Sequence, residues 1–258
     1  MFRHRLLVFR DQGIVPGDRH VEISEWFGPL ESTFYKHPAS PHPDVFRVSN
    51  DPRQGCTGVG RTGWHVDGSF QQAPFSHSIY HIVSVPKSGD TVFAPLHELL
   101  AQLSPEQRAR WERLWMCSDR RGGSIKPLIY THPISKLDTM CFHLGMTAAF
   151  IWDYDSSCIE EGRKNAVRQT DPSETEALLT EIETVFNSEA VNKLVYSHKW
   201  QQGDFIISDN AALGHEASPE TQTPPSMVGL RVMHRTTVRG QHTPAKEYRL
   251  DKHGYRIQ

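Results

Sequence analysis

The sequence predicts a mainly β protein with inserted helices (α+β), built as a β-sandwich or jelly roll with the helices on its outside. Three observations carry this expectation. Short apolar runs with strand character recur through the C-terminal half, at residues 140–151, 193–200, 204–209 and 228–238. Two helices are announced by capping signals, and stretches rich in Pro, Gly, Asn and Asp separate the elements.

Taken in order, residues 5–10 (RLLVFR) read as a first strand and residues 17–27 as a short helix closed by Gly28. Residues 35–63 read as a long irregular loop, a kind of segment that is often functional inside a compact domain. Residues 77–86 alternate as a strand should, and residues 90–94 continue the theme. Ser104-Pro105-Glu106-Gln107 has the capping-box form ahead of RARWERLWMC, which is expected to be helical. Asp171-Pro172-Ser173-Glu174 repeats the device ahead of ALLTEIETVFN.

Composition bounds the function. A chain of 258 residues suits one large domain or at most two small ones, and 37% hydrophobic with 22% charged residues is ordinary for a globular protein. A net charge of −2 supplies no overall basic field, which argues against nucleic-acid and membrane partners. Cys56, Cys117, Cys141 and Cys158 form no C-x-x-C pair and read as free thiols of a reducing compartment. The charged start MFRHRLLVFRDQ lacks a signal-peptide core, and no stretch approaches bilayer-spanning length, so a cytoplasmic location is expected.

The chemistry concentrates at Trp64-His65-Val66-Asp67. On a strand, residues i and i+2 face the same way, so the imidazole of His65 and the carboxylate of Asp67 can meet on one metal ion. A distant histidine would complete the two-His-one-carboxylate facial triad of non-haem Fe(II) oxygenases. Such a triad leaves positions for a chelating 2-oxo acid and for dioxygen. The bare pattern is weak: at this composition chance gives about 1.7 matches to H-x-[DE], and the chain has three. His20/Glu22 falls in an expected helix, where i and i+2 diverge, and His42/Asp44 brackets a proline in a loop.

The C-terminal region strengthens the third match. Residues 203–210 read as a strand ending in a polar turn, and His215 follows five residues later. On the next strand Arg231, Met233 and Arg235 share one face. Two arginines near an iron site suit a dicarboxylate, although a solvated sheet face explains them equally well.

Together these residues resemble the taurine dioxygenase (TauD/TfdA) family of Fe(II)/2-oxoglutarate-dependent dioxygenases. The likeness runs through LLVFRDQ (6–12), WFGPLES (26–32), GWHVDGSF (63–70), SGDTVFAPLHELLAQLSPEQ (88–107), THPIS (131–135), GDFIISDNAALGHEA (203–217) and RVMHRTTVRG (231–240). The resemblance implies a single double-stranded β-helix domain over residues 1–258, with His65, Asp67 and His215 as iron ligands. It implies that Thr91 and Arg231 bind the distal carboxylate of 2-oxoglutarate, and that Arg235 meets the primary substrate. Three departures stand out: Met1 sits almost at the FRDQ element, the loop from His215 to Arg231 is longer, and residues 141–157 do not follow the taurine enzymes. Taurine is therefore not the expected substrate.

The expected activity is hydroxylation, desaturation or related tailoring of a small, anionic, amino-acid-like metabolite, with Fe(II), 2-oxoglutarate and O2. Halogenation is disfavoured because Asp67 occupies the position that such halogenases leave for chloride. Two other classes stay open: a zinc hydrolase using the same ligands, and a non-catalytic jelly-roll binding protein. Phe70, Phe150, Trp152 and Tyr154 are candidate pocket aromatics, with core positions as the alternative. Arg235 has an alternative too, as the partner of a structural acid such as Asp209.

Overall fold

The computed structural model describes residues 3–31, 35–60, 63–120, 123–153, 167–250 and 256–257. Tyr154 and Cys158 lie outside the described residues. The strands of the N-terminal half are β1 (Leu6–Phe9), β2 (Phe46–Ser49), β3 (His77–Ser84), β4 (Thr91–Pro95), β5 (Leu114–Ser118) and β6 (Ile125–Pro127). They are followed by β7 (Ile129–Thr131), β8 (Asp138–Met140), β9 (Thr147–Asp153), β10 (Val167–Gln169) and β11 (Tyr196–His198). The chain continues with β12 (Phe205–Asp209), β13 (Leu213–Ala217), β14 (Val232–Val238), β15 (Arg249–Leu250) and β16 (Arg256–Ile257). The helices are α1 (Gly17–Glu25), α2 (Leu96–Leu100), α3 (Pro105–Trp111), α4 (Pro172–Phe186), α5 (Glu189–Asn192) and α6 (Pro225–Val228).

A five-stranded sheet in the order β1-β12-β3-β14-β2 faces a three-stranded sheet in the order β11-β4-β13, with all pairings antiparallel. Period-2 alternation directs Phe46, Tyr80, Ile82, Ile206 and Met233 inward from the large sheet. Phe93 and Leu213 meet them from the small one. This is the expected jelly roll. A further sheet, β10-β9-β5-β6, packs Leu114, Met116 and Phe150 against Leu178, Ile182 and Phe186 of α4. On the outer face of the large sheet, Ser24 of α1 bonds to Thr236 of β14 across 2.6 Å. No helix among the described residues is long and apolar enough to cross a membrane.

Both helices start where the caps were read, on the N-cap half of the device, while the Gln107 side chain turns to Glu181 and that of Glu174 to Arg168 and Trp152. Ser104 accepts a hydrogen bond from the backbone of Gln107, and Asp171 accepts one from Glu174. Three expectations need correction. RARWERLWMC is not one helix: α3 stops at Trp111, and Leu114, Trp115 and Met116, all fully buried, become β5 between β6 and β9. Burial on both faces of a sheet outweighs modest helix propensity. The stretch 35–63 is not wholly irregular, because Phe46 and Val48 seat β2 against β14. His65-Val66-Asp67 belongs to no regular strand; His65 makes isolated bridges to His143 and His215, and Asp67 opens a turn.

Candidate metal centre

Two candidate ligands 150 residues apart, His65 and His215, meet through backbone pairing. The N–H of His65 donates to the carbonyl of His215 (3.0 Å), and the N–H of His215 returns the bond to His65 (2.9 Å). Directly opposed residues of an antiparallel pair project their side chains to the same face, so the imidazoles lie side by side with ring centroids 4.3 Å apart. Val66 bonds to the carbonyl of Phe142, which closes the other edge of the short segment.

Asp67 is delivered to the same point by Asn210. Its side-chain oxygen accepts from the Asp67 N–H (2.9 Å), and its amide donates to the carbonyls of Asp67 (2.9 Å) and Phe75 (2.7 Å). The carboxylate then stands 3.7 Å from His65 Nε2 and 3.5 Å from His215 Nε2. One donor atom from each of the three residues lies within 4.8 Å of the others, and all three residues are buried. That compactness suits a single metal ion.

Protonation favours the same use. His65 Nδ1–H donates to the carbonyl of Gly63 (2.7 Å), which leaves Nε2 as the free lone pair facing Asp67. Burial pushes His65 down and His215 down to about 3, so both imidazoles are neutral at ordinary pH. Burial alone would raise the Asp67 carboxyl, but Arg235, the two imidazoles and the Ser78 hydroxyl outweigh it. The group is held well below the usual carboxylate range. Neutral imidazoles and an ionised carboxylate are the forms a metal requires.

The sequence-predicted residues divide into two groups. A chamber of about 100 Å3 at the triad is lined by His65, Asp67, Phe70, His143, Met146 and Arg235 among others. Arg235 Nη1 donates to both Asp67 oxygens (2.9 and 3.1 Å), so its partner is a candidate ligand and not Asp209, which pairs with His132. Thr91 and Arg231 lie outside that lining, against the core between the sheets. Thr91 accepts from Trp200, and Arg231 reaches the sulfur of Met233 at 3.6 Å. Arg231 is buried with its Nε unpartnered, and burial pushes it down to about 10. Of the candidate aromatics, Phe70 lines the chamber, while Phe150 and Trp152 belong to the hydrophobic core.

Four residues of the centre were missed by sequence reasoning. Ser78 and Tyr80 reach Asp67 Oδ2 at 2.7 and 3.3 Å from β3, and their i, i+2 spacing was a usable signal. Asn210 was read only as part of a turn. His143 stacks on His65 at 4.6 Å and has an unpartnered Nδ1, which nothing in its local sequence announced.

The TauD, TfdA family of taurine catabolism dioxygenases matches residues 1–237. The chain belongs to the TauD/TfdA family. Members of this family are oxidoreductases that use Fe(II), 2-oxoglutarate and O2. The chain is 27% identical over 188 residues to 3-((Z)-2-isocyanoethenyl)-1H-indole synthase of Fischerella ambigua. That match takes in 67% of this chain but 63% of the Fischerella protein, less than two thirds of its length. It is 26% identical to the (S)-phenoxypropionate/alpha-ketoglutarate-dioxygenase of Sphingobium herbicidovorans, across 96% of this chain and 85% of that one. The crystal structure of AAD-2 in complex with Mn(II) and N-oxalylglycine superposes with a TM-score of 0.70. It does so at 20% identity, over 94% of this chain and 85% of that one, a likeness of fold.

Proposed function

We propose that this TauD/TfdA protein is an Fe(II)/2-oxoglutarate-dependent dioxygenase that tailors a small, anionic, amino-acid-like metabolite, with residues 1–258 acting as one domain. The observation that carries the proposal is the pairing of a buried His65-Asp67-His215 donor set with the buried Arg231 and the half-buried Arg235. One of these, Arg231, finds no anion among the described residues. A metal held by the three ligands would, with 2-oxoglutarate and O2, supply the oxidising power for attack on a C–H bond.

The residues have separate tasks. His65, Asp67 and His215 hold the metal. Arg231, with Thr91, takes the distal carboxylate of 2-oxoglutarate, and a zinc hydrolase would have no use for such a buried, unpaired cation. Arg235 orients the anionic group of the substrate. Its Nη1 is engaged by Asp67, but its Nε has no partner, so donor capacity remains. Phe70 and Met146 provide apolar walls beside the metal. The Sphingobium relative, named for a carboxylate substrate, supports an anionic ligand here.

The test is a screen of amino acids, N-modified amino acids and sulfonates for substrate-stimulated succinate release, repeated with Arg235→Gln. An anionic substrate should stimulate release in the native protein, and the variant should lose the coupling. Stimulation by neutral compounds alone, or full coupling in Arg235→Gln, would refute the assignment.

A further inference from the structure

A second cavity, of about 450 Å3, lies beyond the metal chamber and shares Phe75 with it as a wall. Its size falls in the range of roughly 300–1,000 Å3 usual for small-molecule sites, whereas the metal chamber is well below it. Much of its wall is flat and apolar, from Phe27, Pro74, Phe75, Tyr130, Pro133 and Leu137. Such walls suit an aromatic ring.

The polar groups of this cavity are mostly satisfied by the protein. Arg5 is held by both oxygens of Glu98 at 2.6 Å, and Asp138 is held by Arg108 at 2.6 Å. Arg3 is exposed at the rim, where water and salt screen it. Asp209 keeps acceptor capacity, with the Glu98-held Arg5 guanidinium within electrostatic range of it. Its Oδ1 accepts from His132 Nε2 (3.3 Å) and from the backbone of Ala211 (3.2 Å). Its Oδ2 has no hydrogen bond among the described residues, and the side chain is 14% exposed in the cavity wall. A half-buried carboxylate with an unused oxygen beside aromatic walls is a receptor for a cationic donor.

We infer that this cavity is a second ligand site, distinct from the metal chamber, for an aromatic molecule with an ammonium head. The ring packs between Phe75, Tyr130 and Leu137, and the ammonium donates to Asp209 Oδ2. Nothing in this assignment depends on the reaction at the metal.

The experiment is a titration of the full chain, carrying 13C-methyl labels, with 2-phenylethylamine. Ile134 and Leu137 report on this cavity, and Val59 and Met146 on the metal chamber. Saturable shifts at Ile134 and Leu137 are expected. The uncharged analogue 2-phenylethanol should bind about tenfold more weakly, as should Asp209→Asn, for the loss of one hydrogen bond to a charged group. Because Asp209→Asn removes a contact of His132, a folded Ala211→Phe variant, which fills the cavity from its lining, provides a second arm and should abolish the shifts. Shifts confined to Val59 and Met146, equal affinity for 2-phenylethanol, or undiminished binding by Ala211→Phe would each overturn the site.

Discussion

Arg231 has a guanidinium shut away from water, with Nε unpartnered and Nη2 against the Met233 sulfur at 3.6 Å. A buried charge without a counter-ion is a cost to the fold, so a ligand carboxylate is its natural complement. Two consequences follow at this one position. Arg231→Met should stabilise the ligand-free protein by about 1–3 kcal/mol in urea unfolding, since a hydrophobe of similar length replaces an uncompensated charge. The same position should control 2-oxoglutarate use. Arg231→Ala is expected to raise the apparent KM by the equivalent of about 2–4 kcal/mol, and Arg231→Lys by less, because lysine keeps the charge but not the fork. Thr91→Val should have a smaller effect, and succinate assays give all three numbers. Asp67 presents the opposite case, a carboxylate surrounded by donors from Ser78, Tyr80 and Arg235. His215→Ala and Asp67→Ala should each lose stoichiometric Mn(II) binding in an EPR titration, and retention by either would remove that residue from the ligand set.

At the scale of elements, the candidate metal centre depends on a loop and the groups that hold it. Asn210, at the turn after β12, makes three hydrogen bonds to Asp67 and Phe75, although it is not a candidate ligand. On the other side, the buried Lys126 of β6 donates to the carbonyl of Ser69 (2.9 Å). Gly68 sits between these anchors with φ of +70°, and a Cβ there would stand 2.8 Å from the Phe75 ring. Gly58 has nearly the same φ, +72°, but open space around it. Gly68→Ala should therefore weaken Mn(II) binding and cost about 1–3 kcal/mol, while Gly58→Ala pays only the conformational strain of about 1 kcal/mol. Isothermal titration with thermal melts separates the two, and equal behaviour would show that the Gly68–Phe75 contact does not position Asp67.

Across the molecule, the junction of α1 with the large sheet contains three buried imidazoles, His20, His81 and His234, with neighbouring centroids 6.4 and 6.2 Å apart. His81 is fixed in its neutral form: Nδ1 faces the carbonyl of Asp204, and Nε2 accepts the N–H of Val15. Burial, followed by the neighbouring charges, pushes His20 and His234 down to about 3. In the unfolded chain these groups titrate near 6.5, so between about 3 and 6.5 the unfolded state binds more protons. Stability is therefore highest above that window and falls as the pH drops through it, by at most about 1.4 kcal/mol per pH unit for each proton. Urea unfolding from pH 7.5 to pH 5 should show this decline, and His20→Gln should flatten it by nearly one proton. An unchanged slope in that variant would mean that His20 is charged in the native protein.

How much of this was legible in the sequence depends on the range of the interactions involved. The helix starts at Ser104 and Asp171 were readable because a cap is set by residues three apart in the chain. The strands β3, β12 and β14 were readable because alternation is a local pattern of burial. His65, Asp67 and His215 could be named because their spacing and surrounding segments resemble a family, to which the chain belongs. What the sequence could not contain was the pairing itself. β5 lay hidden in an apparent helix because its burial comes from β6 and β9, and β2 lay hidden in an apparent loop because its partner is β14. The two histidines meet by exchanging backbone hydrogen bonds across 150 residues, Asn210 holds Asp67 from the turn after β12, and Arg231 is buried without an anion among the described residues. Residue chemistry and short-range periodicity are properties of the chain. Proximity, desolvation and the absence of a counter-ion are properties of the fold.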